Sequence, residues 1–240
     1  YFLISNTIKE PKELYQFLYI FIASSSIAVI HTILQLYSIF IIPFSFTKNI
    51  AFNTIGSVNS VAILAAILLP LCLIIVFTLK SVFKWVFLAL TILLLLVMLL
   101  INFFSAWLVL AVGLSVLLTF VIWRLRKSKQ LSWISLPMAL LVVSLFFLVF
   151  RSPFPGAPVL PLEVSPSRSA ELVIVANSLK QNPLLGTGPG TYLFDYARYH
   201  QPVINQTIFW GTRFIAGPSE ILDWFATKGF AGGLVFISVI

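Results

Sequence analysis

The residues best suited to chemistry lie between residues 151 and 223, in the most polar part of this 240-residue chain. Arginine offers a rigid fork of hydrogen-bond donors that keeps its charge at physiological pH, which suits it to the oxygens of a diphosphate. Glu220 and His200 could each act as a general base toward a hydroxyl nucleophile. The combination predicts a site that binds a diphosphate and activates a hydroxyl group. The arginines of the segment are Arg151, Arg168, Arg198 and Arg213.

Arg213 is the first candidate among these arginines, because the aromatic residues within 209–214 predict its partial burial. Arg198, which lies among tyrosines at 196–199, comes second, and Arg168 follows. Arg151 comes directly after an apolar run and is interpreted as a contact to solvent or lipid headgroups.

The two carboxylates Glu220 and Asp223 stand three residues apart, so they share a face if the segment is helical. Acidic residues at a helix start can also simply complement the helix dipole, and Asp223 fits that role equally well. A lone loop histidine such as His200 is often only a surface residue. His31 lies in an apolar run, where a hydrogen bond between helices is expected. No spacing of Cys, His or carboxylates indicates a metal site, and no cofactor is predicted.

Three glycines, Gly186, Gly188 and Gly190, alternate with other residues in one loop. The pattern resembles a dinucleotide-binding fingerprint only superficially, because Thr191 takes the place of the third glycine and no strand is predicted before it. Two interpretations remain: backbone N–H groups that approach an anionic ligand, or a plain turn between helices, which the glycines alone favour.

The elements that position these residues follow from composition. Hydrophobic residues make up 60% of the chain and charged residues 9%, which excludes a water-soluble domain. Apolar runs long enough to span a bilayer occur at 14–36, 58–79, 82–101, 103–123 and 131–150, and a sixth starts near 221–231. The expected fold is an all-α polytopic membrane protein with five complete transmembrane helices and a truncated one. The chain is interpreted as a fragment of a longer protein, since it starts at Tyr1 and its last run stops at Ile240.

Positive charge predicts the topology. Lysine and arginine cluster at 9–12, 80–84 and 124–129, and such clusters mark cytoplasmic connections. The transmembrane domain 1–150 is then followed by an extracytoplasmic loop domain, 151–220, and by the start of the next transmembrane helix, 221–240. Because the basic residues are scattered over short connections, no nucleic-acid partner is predicted.

An amphipathic helix is expected within the long loop, over 166–181, with Ser165 as its cap. It is expected to lie along the membrane surface or over a cavity. Its predicted apolar face is made of Leu172, Val175, Ala176 and Leu179, and its polar remainder of Arg168, Glu171 and Lys180.

Four stretches, in order, resemble motifs of the O-antigen ligase and polymerase family. NPLLGTGPGTY (182–192) is similar to the family's PLLGxGxGxF signature, and LDWFATKGFAG (222–232) to its helix that re-enters the membrane. Upstream, TIGSVNSVA (54–62) is similar to TxGNxNxxA, and FSAWL (104–108) to SRGAWL. The resemblance covers most of residues 50–240.

The resemblance implies a glycosyltransferase-C-like membrane fold and the transfer of a glycan from an undecaprenyl-diphosphate donor to an acceptor hydroxyl, without a metal. In the family, arginines bind the diphosphate and a histidine is usually the base. By this resemblance, the role of the loop arginine falls best on Arg213, and the glutamate of the family's HNExxL-like stretch falls on Glu220. Two positions depart from the family pattern: Pro218 stands where the family has its histidine, and the arginine of SRG is absent before Ala106. Three interpretations follow: Glu220 or His200 replaces the base, this member works by a different mechanism, or it is inactive.

The expected function is therefore a metal-independent glycosyltransferase of the bacterial inner membrane, which assembles surface polysaccharide such as lipopolysaccharide in the cell envelope. Its expected partners are an undecaprenyl-diphosphate-linked glycan, a glycan or lipid acceptor, and the bilayer. Two alternatives stay open. A transporter or flippase would place discontinuous helices and ionisable residues near the bilayer midplane. A non-catalytic scaffold would leave the loop arginines apart, with no shared cavity facing Glu220.

Overall fold

The computed structural model describes residues 6–79, 81–125, 132–150, 158, 160, 164–207 and 209–239. Among them, helices are the only regular secondary structure. The chain divides into two compact units, the amino-terminal unit Tyr1–Pro161 and the carboxy-terminal unit Leu162–Ile240. The proposed division of the latter into an extracytoplasmic loop and a separate transmembrane helix stays a prediction.

The amino-terminal unit is built from five long helices that begin and end within three residues of the predicted apolar runs. A short 3-10 helix, Ser45–Thr47, lies between the first two. The five helices are α1 (Pro11–Leu36), α2 (Val58–Thr78), α3 (Lys84–Ile101), α4 (Phe104–Leu125) and α5 (Ser132–Phe150).

Helix α2 is the centre of this unit and packs against α1, α3, α4 and α5. Ser57 caps its first turn by accepting a hydrogen bond from the Ser60 N–H at 3.1 Å. Apolar side chains occur on all sides of α2, as expected for a helix surrounded by other helices. Its fully buried members include Val61, Ala62, Ala65, Leu68, Leu69, Cys72 and Leu73.

A left-handed residue separates α3 from α4. Asn102 ends α3 at φ 47°, a conformation that asparagine tolerates better than most residues. Its side-chain oxygen accepts a hydrogen bond from the indole N–H of buried Trp107 at 2.8 Å. Trp107 in turn stacks on Phe147 of α5, with ring centroids 4.6 Å apart. This chain of contacts joins three consecutive helices.

The expectation for His31 on α1 is wrong. Neither ring nitrogen has a hydrogen-bond partner among the described residues, although both atoms are buried. The ring instead lies edge-on to Phe52, with centroids 6.1 Å apart. Gln35 of α1 instead donates hydrogen bonds to the carbonyls of Thr47 and Asn49 in the connection that follows the helix.

By length and composition, five of the described helices could cross a membrane, which supports a multi-pass membrane protein, although the last of them is bent at Gly229: Lys12–Leu36, Val58–Thr78, Lys84–Ile101, Phe104–Trp123 and Glu220–Ser238. Helix α5 contributes a shorter apolar stretch, Ile134–Phe150. The predicted all-α, membrane-spanning character is confirmed at this level. The sixth run, predicted as truncated, is one of the five.

The carboxy-terminal unit contains α6 (Arg168–Gln181), α7 (Tyr192–Tyr199), a 3-10 helix (Pro202–Gln206) and α8 (Glu220–Val239). Helix α6 starts later than predicted, because Ser167 and not Ser165 caps it, accepting the Ala170 N–H at 3.2 Å.

The predicted faces of α6 are wrong in part. Glu171, expected on the polar face, is completely buried, whereas Leu172, expected on the apolar face, is 53% exposed. The buried face consists of Glu171, Ile174, Val175 and Ser178, which recur at helical spacing. It packs mainly on α8 and also on α7.

Helix α8 is broken at Gly229, where φ is 66° and ψ is −168°. In a straight helix, Trp224 and Phe236 would be separated by about 18 Å along the axis. Their ring centroids lie 4.8 Å apart, so the helix bends sharply and its two halves face each other. Close packing at the bend requires a small residue at 233, since a Cβ on Gly233 would overlap the Phe225 ring.

The loop 183–188 pairs its backbone with both broken ends of α8, an arrangement that we call the glycine joint. Loop N–H groups donate to the last carbonyls of the first half, and loop carbonyls accept from the first N–H groups of the second half. The four bonds are Thr187 N to Ala226 O (3.2 Å), Gly188 N to Thr227 O (2.8 Å), Phe230 N to Pro183 O (2.9 Å) and Ala231 N to Leu184 O (3.2 Å). A break that would leave backbone groups unpaired is thereby satisfied.

Close approach at the joint requires glycine on both sides. Gly186 has φ 66°, and a Cβ there would overlap the backbone of residues 227–229. A Cβ on Gly229 would overlap the Leu184 carbonyl group. Both positions therefore exclude any side chain for steric as well as conformational reasons.

Replacing Gly186 by alanine should lower the stability of the carboxy-terminal unit by about 3 kcal/mol or more, because the backbone of α8 must move aside. Gly190→Ala should cost only about 1 kcal/mol, since φ is 74° there but no atom lies within 4 Å of the new Cβ. Gly211→Ala is the control, because its Cβ meets open space and its φ carries no such strain. Thermal unfolding of the detergent-solubilised protein measures the stability of all three variants. Equal losses of stability for Gly186→Ala and Gly190→Ala would contradict the close backbone contact at the glycine joint.

Candidate functional site

A cavity of about 290 Å³ lies between the end of α7 and the loop 210–213. Helix α7 contributes Tyr196, and His200, the residue that ends the helix, follows one turn later. The loop contributes Trp210 and Arg213. The full lining is Tyr196, Ala197, His200, Trp210, Gly211, Thr212 and Arg213.

His200 is held on both sides of its ring. Its Nδ1 lies 3.0 Å from the Tyr196 carbonyl oxygen, and its Nε2 lies 2.9 Å from the Asn205 side-chain oxygen. The ring also stacks on Tyr196, with centroids 5.4 Å apart and an interplanar angle of 18°. A neutral imidazole carries one N–H, and a carbonyl can only accept. With that proton on Nδ1, Nε2 is the basic nitrogen, and a hydrogen bond to it requires the Asn205 amide to be flipped so that its NH₂ group donates.

Arg213 faces the same cavity but is exposed, so its expected partial burial is wrong. The neighbouring aromatic residues do not enclose it. Trp210 is 74% exposed. Phe214 turns away to pack edge-on against Tyr196, with centroids 5.1 Å apart. This contact ties the loop to α7 and leaves the Arg213 guanidinium accessible.

The other predicted residues lie outside this cavity. Arg198 is exposed, with its guanidinium 5.5 Å from the centroid of the Tyr199 ring. Arg168 is exposed in the first turn of α6. Glu220 is exposed at the start of α8, where it accepts a hydrogen bond from the Trp224 indole N–H at 2.9 Å. Arg151 falls outside the described residues. The structure thus brings His200 together with Arg213, and not with the remaining candidates.

The three glycines form a turn that is occupied by protein. Gly186, Gly188 and Gly190 all have positive φ, at 66°, 119° and 74°. The N–H groups of Thr187 and Gly188 donate to carbonyls of α8 within the glycine joint. Those two N–H groups are therefore not free for an anionic ligand, and the plain-turn interpretation describes their role.

A buried polar cluster lies beside the joint. Glu171 accepts the Ser219 N–H at 3.2 Å through Oε1, while its Oε2 has no hydrogen-bond partner among the described residues. The buried Tyr192 hydroxyl is likewise unpartnered there. Both side chains surround Gly217, where an added Cβ would overlap the Glu171 carboxyl and lie 3.1 Å from the Tyr192 oxygen.

Electrostatics in the cluster disfavour negative charge. Burial raises the pKa of the Glu171 carboxyl, and the nearby Asp223 carboxylate adds to the effect, while the Ser219 N–H and Arg168 oppose it. Burial also raises the pKa of Tyr192, and Glu171 is the largest of the charges that raise it further. The cluster therefore favours the neutral forms of both groups.

Asp195 extends this polar region toward the joint. Its carboxylate accepts a hydrogen bond from the Thr187 hydroxyl, which lies 2.7 Å from the Thr191 hydroxyl. Burial raises the pKa of Asp195, although the hydrogen bonds from the two threonines and the charge of Arg198 act in the opposite direction. Asp195 thus links α7 to the loop that is hydrogen-bonded to the two broken ends of α8.

Sequence reasoning missed three contributors to these sites. Tyr196 and Asn205 orient His200, and Glu171 forms the buried cluster. The spacing of Tyr196 and His200 on one helix face was a usable signal. Glu171 lies on the same helix face as Ile174, Val175 and Ser178. Because carboxylates are rarely buried, its hydropathy nevertheless predicts that it is exposed.

Among the described residues, no group of three or more His, Cys, Asp or Glu side chains is arranged to hold a metal ion. The buried carboxylates of Asp195 and Glu171 accept hydrogen bonds from a hydroxyl and a backbone N–H group, respectively.

Glu171→Gln should stabilise the protein at neutral pH by on the order of 1 kcal/mol, because a native carboxyl with a raised pKa opposes folding when ionised. The wild-type stability contributed by Glu171 is full below the ordinary carboxyl pKa and falls as the pH rises through the raised native pKa. The variant should therefore lose part of this pH dependence, while the exposed Glu220→Gln should not. Denaturant unfolding in detergent near pH 5 and pH 7 measures the effect, and a variant less stable than wild type at pH 7 would contradict it.

Comparison with protein-family models, with curated proteins and with solved structures found no match to this chain. Its function must therefore be inferred from the chemistry of its own residues, and the pairing of His200 with Arg213 is the arrangement with the clearest chemical use.

Proposed function

We propose that this chain belongs to a metal-independent membrane glycosyltransferase, of the O-antigen ligase or polymerase type, that transfers a glycan from an undecaprenyl-diphosphate donor to an acceptor hydroxyl. The observation that supports the proposal is the cavity shared by His200 and Arg213. A base and a phosphate-binding cation are the two groups that such a transfer needs from the protein. The motif resemblance at 182–192 and 222–232 agrees with this chemistry.

His200 is the proposed base. With Nδ1–H donated to the Tyr196 carbonyl, Nε2 can take the proton of the acceptor hydroxyl once Asn205 yields its place. The acceptor oxygen then forms a bond to the anomeric carbon as the bond from that carbon to the diphosphate oxygen breaks. Glu220 is less suited to this role, because it lies outside the cavity and is hydrogen-bonded to Trp224.

Arg213 is the proposed diphosphate ligand. Its guanidinium is accessible at the cavity, so it can bind the phosphate oxygens in a bidentate manner and stabilise the charge on the leaving group. The exposed Trp210 offers a flat apolar surface for a sugar ring. Arg168 and Arg198 are not needed for this arrangement. A lipid-linked donor also fits a chain with five helices long enough to cross a membrane, and the bacterial inner membrane is the compartment proposed.

A transporter is the second candidate, and the break in α8 is the observation in its favour, since transporters bind substrates at the ends of discontinuous helices. In this chain, however, four backbone groups at the break are already bonded to the loop 183–188. A non-catalytic scaffold would agree with the separate locations of Arg168, Arg198 and Glu220. It predicts no transfer activity, so a transfer assay distinguishes it from an enzyme.

Removing the base or the cation should lower transfer by about 100-fold or more, the usual contribution of a positioned general base or charged ligand. His200→Ala and Arg213→Ala test the two roles, and Arg213→Lys should be intermediate because it keeps the charge and loses the fork. Lys180→Ala removes an exposed charge from the same unit and should be silent. The measurement is glycan transfer from an undecaprenyl-diphosphate donor by the full-length protein in proteoliposomes.

Two outcomes would change the assignment. Wild-type rates for both His200→Ala and Arg213→Ala would refute the site. Loss of transfer in Glu220→Gln, with His200→Ala active, would return the role of base to Glu220.

A further inference from the structure

The two halves of α8 differ in charge. Residues 220–228 contain Glu220, Asp223 and Lys228, whereas residues 229–239 contain no charged side chain. The first half also belongs to the polar interior of the carboxy-terminal unit, because the Ser219 N–H before it bonds to Glu171 and because Asp223 is close enough to Glu171 to raise its pKa. Among the described residues, the second half makes aromatic and backbone contacts at the bend and a local hydrogen bond from the Ser238 hydroxyl to the Val235 carbonyl.

The length of a helix segment, together with its charge, determines whether it can cross a bilayer. Nine helical residues extend about 13 Å, whereas the hydrocarbon core of a bilayer is about 30 Å thick. The first half is therefore too short to cross a bilayer alone, and the bend at Gly229 prevents it from forming one straight span with the second half. A straight span starting at Glu220 would moreover bring Asp223 and Lys228 into hydrocarbon, where charges are strongly disfavoured.

Several of the unit's exposed apolar side chains lie on the second half and on the loop bonded to its first turn. Leu184 and Leu185 are 70% and 77% exposed, although the Leu184 carbonyl bonds to the Ala231 N–H. Phe230, Leu234 and Val235 are exposed along the half-helix. We call these five residues the joint face, and its members occupy the region where the loop meets α8.

The residues before the bend are those typical of a membrane surface. The Lys228 ammonium lies 3.1 Å from the centroid of the Trp224 ring. Tryptophan and lysine are enriched at the level of the lipid headgroups, where an aromatic ring and a charged tip are both accommodated. This pair directly precedes Gly229.

We infer that the bilayer surface meets α8 at Gly229, so that the joint face contacts lipid hydrocarbon while residues 220–228 remain outside the hydrocarbon core. The apolar half then lies in the hydrocarbon, and the exposed leucines of the loop insert beside it. This inference does not depend on the proposed glycosyltransferase activity.

Fluorescence quenching at matched sites tests the depth of each half. In a Cys72→Ser background, single cysteines at Leu185, Leu234 and Ile221 carry an environment-sensitive fluorophore, with Ser165→Cys as an exposed polar control. Ile221 is the matched site, because it is an exposed apolar residue on the first half of α8. The full chain is reconstituted into phosphatidylcholine and phosphatidylglycerol vesicles, with iodide on both sides or with nitroxide-labelled phosphatidylcholine in the bilayer.

The labels at positions 185 and 234 should be quenched several-fold more by the lipid nitroxide than the labels at 221 and 165, which iodide should quench instead. A label at position 221 that behaves like the one at 234 would indicate a span starting at Glu220 and would overturn the inference. Protection of positions 185 and 234 from both quenchers would also overturn it, because protein would then cover the joint face. Each variant must keep the wild-type elution volume, and Phe230→Cys substitutes for Leu234→Cys if that variant misfolds.

Discussion

The backbone hydrogen bonds of the glycine joint are the constraint on which the carboxy-terminal unit depends. A helix broken at Gly229 exposes carbonyls on one side and N–H groups on the other, and each such group is costly when buried without a partner. The loop 183–188 provides hydrogen-bond partners for four of these backbone groups. This is possible only because Gly186 and Gly229 let two backbones approach without an intervening Cβ. The loop is consequently fixed at both ends of the bend.

Fixing this loop also fixes the helices on either side of it. Helix α6 ends at Gln181 and α7 begins at Tyr192, so both must leave from the joint within a few residues. Thr187, held against Ala226, donates its hydroxyl hydrogen to Asp195 of α7. That contact sets the position of α7, whose next turn carries Tyr196 and His200 into the cavity. Glycines without any chemistry of their own thus determine where the proposed base lies.

The sequence was sufficient for the helices of the amino-terminal unit because length and hydropathy largely determine a membrane-spanning helix. The same reasoning could not find the bend in α8, since a glycine within an apolar run is compatible with a continuous helix. It also misplaced Glu171, because burial of a carboxylate is decided by partners distant in sequence, here Ser219. The expected burial of Arg213 failed for a related reason: Phe214 packs on Tyr196 and leaves the guanidinium accessible. Local composition predicts elements, whereas tertiary hydrogen bonds decide which side chains meet.

The joint also connects the proposed chemistry to the proposed membrane boundary. If the bilayer surface lies at Gly229, two hydrogen bonds connect that region to α7. The Thr187 N–H donates to the Ala226 carbonyl, and the Thr187 hydroxyl donates to Asp195 of α7. Five residues at helical rise, about 8 Å, then separate Asp195 from His200. The glycine joint is thus the structural element that the proposed base and the proposed membrane boundary have in common.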